Sequence, residues 1–277
     1  MSTEAGTETV PLPPETRRIG KYEIIREIGR GATSVVYKAY DPFQDREVAV
    51  KAVFPEVLGD QEHGRRYRKL FVTGASLAGR LSHPHIVAIY DAAADDDASY
   101  IVMEYVDGST LEQYARVDHL LPLSRVLEIV YKCARALDYA AREGVIHRDI
   151  KPANILLAGE SDIKVSDFGA ALNAASDSTQ ITGVGSPAYM SPEQVREQQL
   201  TYQTDIFSLG VVFYQLLTGR LPFLGTNNYS IIYQIINVDP APPSRFRSEV
   251  PPKIDAIVLR MLQKNTADRY QTWGDLA

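Results

Sequence analysis

One cysteine, Cys133, stands in 277 residues, so an internal disulfide is excluded and no cysteine pair exists to hold a metal. Its place in an amphipathic helical pattern favours a small buried hydrophobe over a nucleophile. Such a chain suits a reducing compartment, and the cytoplasm is the expected location. Long apolar runs are missing too. The longest, Ile206 to Leu217, is broken by Ser208, Gly210, Tyr214 and Gln215 and is too short for a bilayer. It reads as a buried core helix, and no membrane contact is expected. No run of lysines and arginines occurs, and a formal net charge of −6 leaves no electrostatic footprint for nucleic acid or for an anionic membrane surface. His63, His83, His85, His119 and His147 show no ligand spacing, which argues against a histidine metal centre.

With 45% hydrophobic and 23% charged residues, the chain has the makings of an ordinary globular core, in one large domain or two lobes sharing a cleft. Residues 1–20 read as a disordered leader, Met1 to Arg18 being rich in Thr, Glu and Pro without an apolar signal-peptide core. Tyr22–Ile28, Val35–Tyr40 and Glu47–Val53 are β-branched and aromatic runs separated by Gly29, Gly31 and Asp41-Pro42, which predicts an antiparallel meander. Gln61 to Leu81 reads as a helix weakened by Gly64, Gly74 and Gly79. Ile86–Tyr90 and Tyr100–Glu104 read as two more strands around the acidic turn Asp95-Asp96-Asp97, a solvated hairpin tip. From Leu123 the period changes to three and four: Leu123, Val126, Leu127, Val130, Ala134, Leu137 and Ala141 line one helix face, stopped by Gly144. Further helices are predicted at Thr204–Leu217, Ser230–Ile236 and Ile254–Leu262. The fold class is therefore α+β and bilobal. A five-stranded antiparallel sheet with one helix makes the small lobe, 21–106, and a mainly helical larger lobe, 107–277, follows, with a cleft near Glu104–Gly108.

The chemistry is concentrated in two short segments. His147-Arg148-Asp149-Ile150-Lys151-Pro152-Ala153-Asn154 is followed by Asp167-Phe168-Gly169. Together they supply a candidate general base, Asp149, and two hard oxygen ligands, Asn154 and Asp167. These suit Mg²⁺, which keeps much of its water shell and needs few protein ligands beside phosphate oxygens. Upstream, Gly29-Arg30-Gly31 lies between two strands. A dinucleotide fingerprint would open a helix there, and a Walker A loop would need Gly-Lys-Ser/Thr, so small residues at a hairpin that admit phosphates to backbone N–H groups are the better reading.

These segments, with Val48-Ala49-Val50-Lys51, Ser191-Pro192-Glu193, Asp205-Ile206-Phe207-Ser208-Leu209-Gly210 and Arg269, resemble the eukaryotic-like (Hanks-type) serine/threonine protein kinases, and their bacterial members most of all. The resemblance covers about Tyr22 to Ala277. It implies an ATP- and Mg²⁺-dependent transfer of the γ-phosphoryl to Ser or Thr hydroxyls of protein substrates. Nucleotide would be cradled by Ile28, Gly29, Arg30, Gly31, Ala32, Thr33, Ser34, Val35 and Val36, although Ser34 stands where a third glycine is usual. Ala49 and Met103 would line the adenine pocket, and Glu104 and Val106 would offer it backbone contacts. Lys51 would reach the α- and β-phosphates, Asp149 would take or orient the substrate's proton, and Lys151 would lie near the transferred phosphate. Between Asp167 and Glu193, Ser178, Thr179 and Thr182 are candidate phosphosites, with Thr179 and Thr182 preferred. Arg148 is placed to receive their charge, and Ser186 is better read as a substrate or Asp149 contact. Self-phosphorylation there is expected, and an activating partner or a homodimer is compatible with the family.

One position departs from the pattern. Counting back from Ser82-His83-Pro84, Gly74 occupies the place of the helix glutamate that pairs with the strand lysine. Glu62, twelve residues earlier, would be roughly 18 Å away along a helix and cannot substitute. Either the register is shifted, or the residue is altered and activity is lowered. The alternative to an active kinase is a pseudokinase or nucleotide-binding switch.

Overall fold

The computed structural model describes residues 17–58, 71–94, 99–168, 172–173 and 187–276. The first lobe is a curled antiparallel sheet in the order β1-β2-β3-β4-β6-β5. Its strands are β1 Arg18–Ile19, β2 Tyr22–Arg30, β3 Ser34–Asp41, β4 Arg46–Val53, β5 Ile89–Ala94 and β6 Ser99–Glu104. The first three long strands form the meander that their β-branched runs predict, with pairs such as Val36 opposite Lys51.

Two differences from the sequence reading have physical causes. The sheet has six strands because Arg18–Ile19, inside the stretch read as leader, folds back on Tyr22–Glu23 through a turn at Gly20 with φ 55°. The Arg17 carbonyl accepts from the Ile24 N–H at 2.9 Å and fastens it. The expected strand Ile86–Tyr90 begins only at Ile89. Residues 85–87 are drawn instead onto the second lobe, where Ile86 makes a parallel bridge to Val165.

After the four-residue α1, Pro55–Leu58, a second helix, α2, is described over residues 71–78. Phe71 and Ala75 pack with Val53 and Ile101 under the sheet, and Gly74 lies buried in the same stripe. The acidic turn 95–97 and Glu62 lie outside the described residues.

β7, Ser109–Thr110, opens the second lobe, and the larger core lies beyond it. α3, Leu123–Arg142, buries Val126, Ile129, Val130, Cys133, Ala134, Ala136, Leu137 and Ala140, which is the stripe its periodicity predicts. Burial pushes the Cys133 thiol up to about 12, which keeps it an inert hydrophobe. β8 Val145–Ile146 follows, then β9 Ile155–Ala158 and β10 Asp162–Val165 as a hairpin joined to β7, with β11 Leu172–Asn173 on β8. α4 is Pro192–Val195 and α5 is Gln203–Thr218. α5 is buried on nearly every face and packs on α3 and on α7, Pro252–Met261. It stops at Gly219, φ 69°, where a Cβ would sit 2.3 Å from the Val117 nitrogen. α6, Asn228–Asn237, and α8, Trp273–Leu276, complete the lobe.

Candidate active site

β4 runs through the middle of the first sheet, and strand alternation sorts its side chains. Val48 and Val50 turn into a core with Tyr22, Ala39 and Val102, so Ala49 and Lys51 face the other way, toward the second lobe. There they help to line a cleft of about 410 Å³ between the lobes. Ile28, Gly29 and Val36 form one wall, and Met103, Glu104 and Val106 line its inter-lobe edge. Asn154 and Asp167 stand opposite.

Lys51 Nζ donates to Asp167 Oδ1 across the cleft. Burial pushes the Asp167 carboxyl up, but the charge and hydrogen bond of Lys51, helped by His147 and Lys151, outweigh it and hold the group below the usual carboxylate range. Asp167 therefore remains an anion suited to a cation ligand. Its backbone, at φ 69°, is left-handed, an uncommon state for a non-glycine residue.

Asp149 sits nearby with its side chain 43% exposed and open to solvent. Its Oδ2 accepts from Lys151 Nζ at 2.7 Å and from Asn154 Nδ2 at 3.0 Å, while its carbonyl accepts from the same Nδ2 at 2.8 Å. With its nitrogen turned to Asp149, Asn154 has an amide oxygen with no donor among the described residues, and that oxygen can serve a cation. The donor set of a carboxylate, an amide oxygen and bordering lysines fits Mg²⁺ beside a polyphosphate.

The loop carrying Asp149 is held from beneath. Asp205, 3% exposed near the start of α5, accepts the His147 N–H and the Arg148 N–H, both at 2.8 Å. It thereby fixes Arg148 at φ 70°. His147 is fully buried. Its Nε2 bonds the Ser166 carbonyl at 2.9 Å and its ring tilts against Phe168 at 4.5 Å, so it packs the two motif loops together. Gln194 of α4 donates to the Arg148 carbonyl at 2.8 Å. α4 itself begins with a capping box between Ser191 and Gln194. Its Glu193 is locked to the fully buried Arg269 through contacts of 2.6 and 2.8 Å.

Of the residues that the motifs nominate, Ile28, Gly29, Val36, Ala49, Lys51, Met103, Glu104, Val106, Asn154 and Asp167 line one cleft, with Asp149 and Lys151 at its margin. Arg30, Gly31, Ala32, Thr33, Ser34 and Val35 do not line it. Arg30 pairs with Glu27 at 2.6 Å, Ser34 and Val35 are buried in the sheet, and the Gly31 N–H closes a turn onto the Ser34 carbonyl. Ser178, Thr179, Thr182 and Ser186 lie outside the described residues. Sequence reasoning missed Leu156, Val87 and Thr110 in the cleft lining, ordinary residues with no motif signal. It also gave no role to Asp205, although that residue opens the Asp205–Gly210 motif and is an acid at the start of an otherwise apolar helix.

The sequence matches the model of the protein kinase domain family over residues 22–274. It is 39% identical over 264 residues to the serine/threonine-protein kinase PknB of Mycobacterium leprae, spanning 92% of this chain and 42% of the relative. Against the serine/threonine-protein kinase PrkC of Bacillus subtilis it is 40% identical over 261 residues, 93% of this chain and 39% of that one. A probable serine/threonine-protein kinase of Streptomyces coelicolor is 42% identical over 272 residues, 95% and 40% of the two chains. The chain thus spans about two fifths of the length of these relatives. With a lysine and an aspartate joined across an inter-lobe cleft, and the family match running through every motif that builds it, the chain belongs to the protein kinase domain family, in its bacterial Hanks-type serine/threonine branch.

Proposed function

We propose that the chain transfers the γ-phosphoryl of ATP to serine or threonine hydroxyls of protein substrates, with Mg²⁺ held by Asn154 and Asp167. The observation that carries this reading is the Lys51–Asp167 ion pair in the same cleft as Asn154, whose side chain in turn holds Asp149. Ala49 and Met103 flank the adenine, and Glu104 and Val106 present backbone groups to it. Lys51 steadies the α- and β-phosphates. Asp149 accepts or orients the proton of the attacking hydroxyl, and Lys151, 2.7 Å from it, adds positive charge beside the transferred phosphate. When bound, Mg²⁺ neutralises charge on the phosphate oxygens. Catalysis of this kind is positioning and electrostatics, which a preorganised loop supplies.

Self-phosphorylation at Ser178, Thr179 or Thr182 is part of this reading. It is supported by Arg148, whose Nε is buried without a hydrogen-bond partner among the described residues and could receive a phosphate's charge. An activating partner or a second copy of the chain would supply order that Gly74 withholds from α2. Dependence on ATP favours the cytoplasm, and no helix among the described residues is long and apolar enough to cross a membrane.

The test is incubation of purified chain with labelled ATP and Mg²⁺, beside Asp149→Asn. Label should appear on protein only with intact Asp149, and ATP should raise the melting temperature more with Mg²⁺ than with a chelator. Equal shifts with and without metal would count against Asn154 and Asp167 as ligands. Mass spectrometry showing the same phosphorylation in both proteins would rule out self-modification.

A further inference from the structure

Glu104 has two faces. Its backbone edges the cleft, but strand alternation turns its side chain away from the wall that Met103 builds. There Oε1 pairs with Lys164 of β10 at 2.9 Å, and Oε2 accepts the Ala88 N–H at 3.2 Å. The Glu104 N–H in turn donates to the Ala88 carbonyl at 2.8 Å. Both side chains of the ion pair are about three-quarters buried, 25% and 22% exposed. Lys164 is three residues before Asp167 on one continuous strand and loop. β10 is also laced to the first lobe by its backbone: the Val87 N–H donates to the Val165 carbonyl and the Val165 N–H to the His85 carbonyl, both at 2.9 Å.

These contacts close a ring around the cleft. Lys51 on β4 is one strand from β6, where Val48 pairs with Glu104. Glu104 holds Lys164, β10 carries on to Asp167, and Asp167 returns to Lys51. Because α2 carries glycine at residue 74, no carboxylate from that position steadies Lys51, and among the described residues the ring through Asp167 is the restraint the structure shows. We propose that Lys164 is a positioning residue. By anchoring the Glu104 side chain from the second lobe, it fixes the inter-lobe strand and sets the register of Asp167 against Lys51. Removing it should loosen nucleotide binding while leaving the transfer step largely intact. The kinetic part of this inference rests on the nucleotide reading above.

The experiment compares Lys164→Met, Lys164→Arg, Glu104→Gln and the Lys164→Met/Glu104→Gln double variant. Lys164→Met should raise KM for ATP with Mg²⁺ by about threefold to fivefold, as expected for one partly buried pair, with kcat changed less than about twofold. Lys164→Arg should restore the parental KM, and the double variant should be no worse than the more affected single variant. Unchanged KM in Lys164→Met, or effects that multiply in the double variant, would overturn the proposal. Melting temperatures of the same four proteins and amide exchange at Ala88 and Val165 do not depend on catalysis. Non-additive melting shifts with faster exchange support the tie, and additive shifts with unaltered exchange refute it, even if the parent binds no ATP and the kinase reading itself falls.

Discussion

Asp205→Ala should damage both stability and turnover, and the size of the first follows from two hydrogen bonds. The carboxylate is 3% exposed and is the acceptor for the His147 and Arg148 N–H groups, each at 2.8 Å. Truncation leaves two buried donors without partners, at about 1–3 kcal/mol each. Against that stands relief from desolvation. Burial pushes the Asp205 carboxyl above its ordinary range despite His147, Arg148 and the two N–H groups acting the other way, so the native protein already carries a cost there. A net loss of about 3 kcal/mol is the expected balance, or about 6–12 °C in melting temperature for a domain of this size. Asp205→Asn keeps one acceptor oxygen and should lose about half as much.

Turnover should fall further than stability alone requires. Without its anchor the left-handed Arg148 backbone relaxes and Asp149 moves, and a displacement of about 1 Å can cost about 100-fold in rate. Calorimetry together with single-turnover phosphoryl transfer, at a temperature where every variant is folded, separates the two effects. An Asp205→Ala protein that melts within about 2 °C of the parent and transfers phosphate normally would refute the reasoning, because those two bonds would then not be what holds the loop.

Arg269→Met should cost about 3–5 kcal/mol by stranding the buried Glu193 carboxylate, measured by urea unfolding, and a loss under about 1 kcal/mol would contradict the buried-pair account. Burial alone would push the Glu193 carboxyl up, but the hydrogen bonds and charge of Arg269, with Thr204 and the residue's own N–H, hold it below the ordinary glutamate range. The stability this supplies is complete above that ordinary range and is lost as pH falls through the depressed folded value. The acid unfolding midpoint should therefore move to higher pH when Thr204→Val removes one donor. Lys51→Met should release the Asp167 carboxyl upward, seen as a higher titration midpoint by NMR, and should weaken ATP binding as well; an unmoved midpoint would mean that Lys51 is not what holds it down. Gly74→Glu should add about 1 kcal/mol of helix propensity and, if residue 74 takes the pairing position that the family resemblance implies, a partner for Lys51, raising turnover. Unchanged or lower turnover in a folded protein would mean that Asp167 already holds Lys51 sufficiently.

What could be read from the sequence follows a physical division. The strands β2, β3 and β4 and the stripe of α3 are local patterns, so alternation and three- and four-residue steps reveal them. Lys51, Asp149, Asn154 and Asp167 stand in short motifs that single them out in the sequence, and the fold brings them together in one cleft or at its margin. Contacts made between distant segments by common residues leave no such trace. Glu104 and Lys164 are 60 positions apart, and Gln194 reaches Arg148 across 46. Ile86–Tyr90 misled for the same reason: a good strand sequence had its first residues claimed by β10 in the other lobe, a competition that no window of ten residues can display.

Gly74 shows where the division bites hardest. As a sequence feature it is an absence, a missing charge opposite Lys51. In the fold it sits in the buried stripe of α2, with Phe71 and Ala75 packed against Val53 and Ile101, while Lys51 is engaged by Asp167. A glycine in such a stripe lets the helix approach the sheet closely and costs it rigidity. A lysine joined to Asp167 of the second lobe has its geometry tied to the angle between lobes. Activity in this chain should then respond to whatever closes the cleft more sharply than to whatever orders α2, and the Lys164 and Gly74 variants measured side by side distinguish the two forms of control.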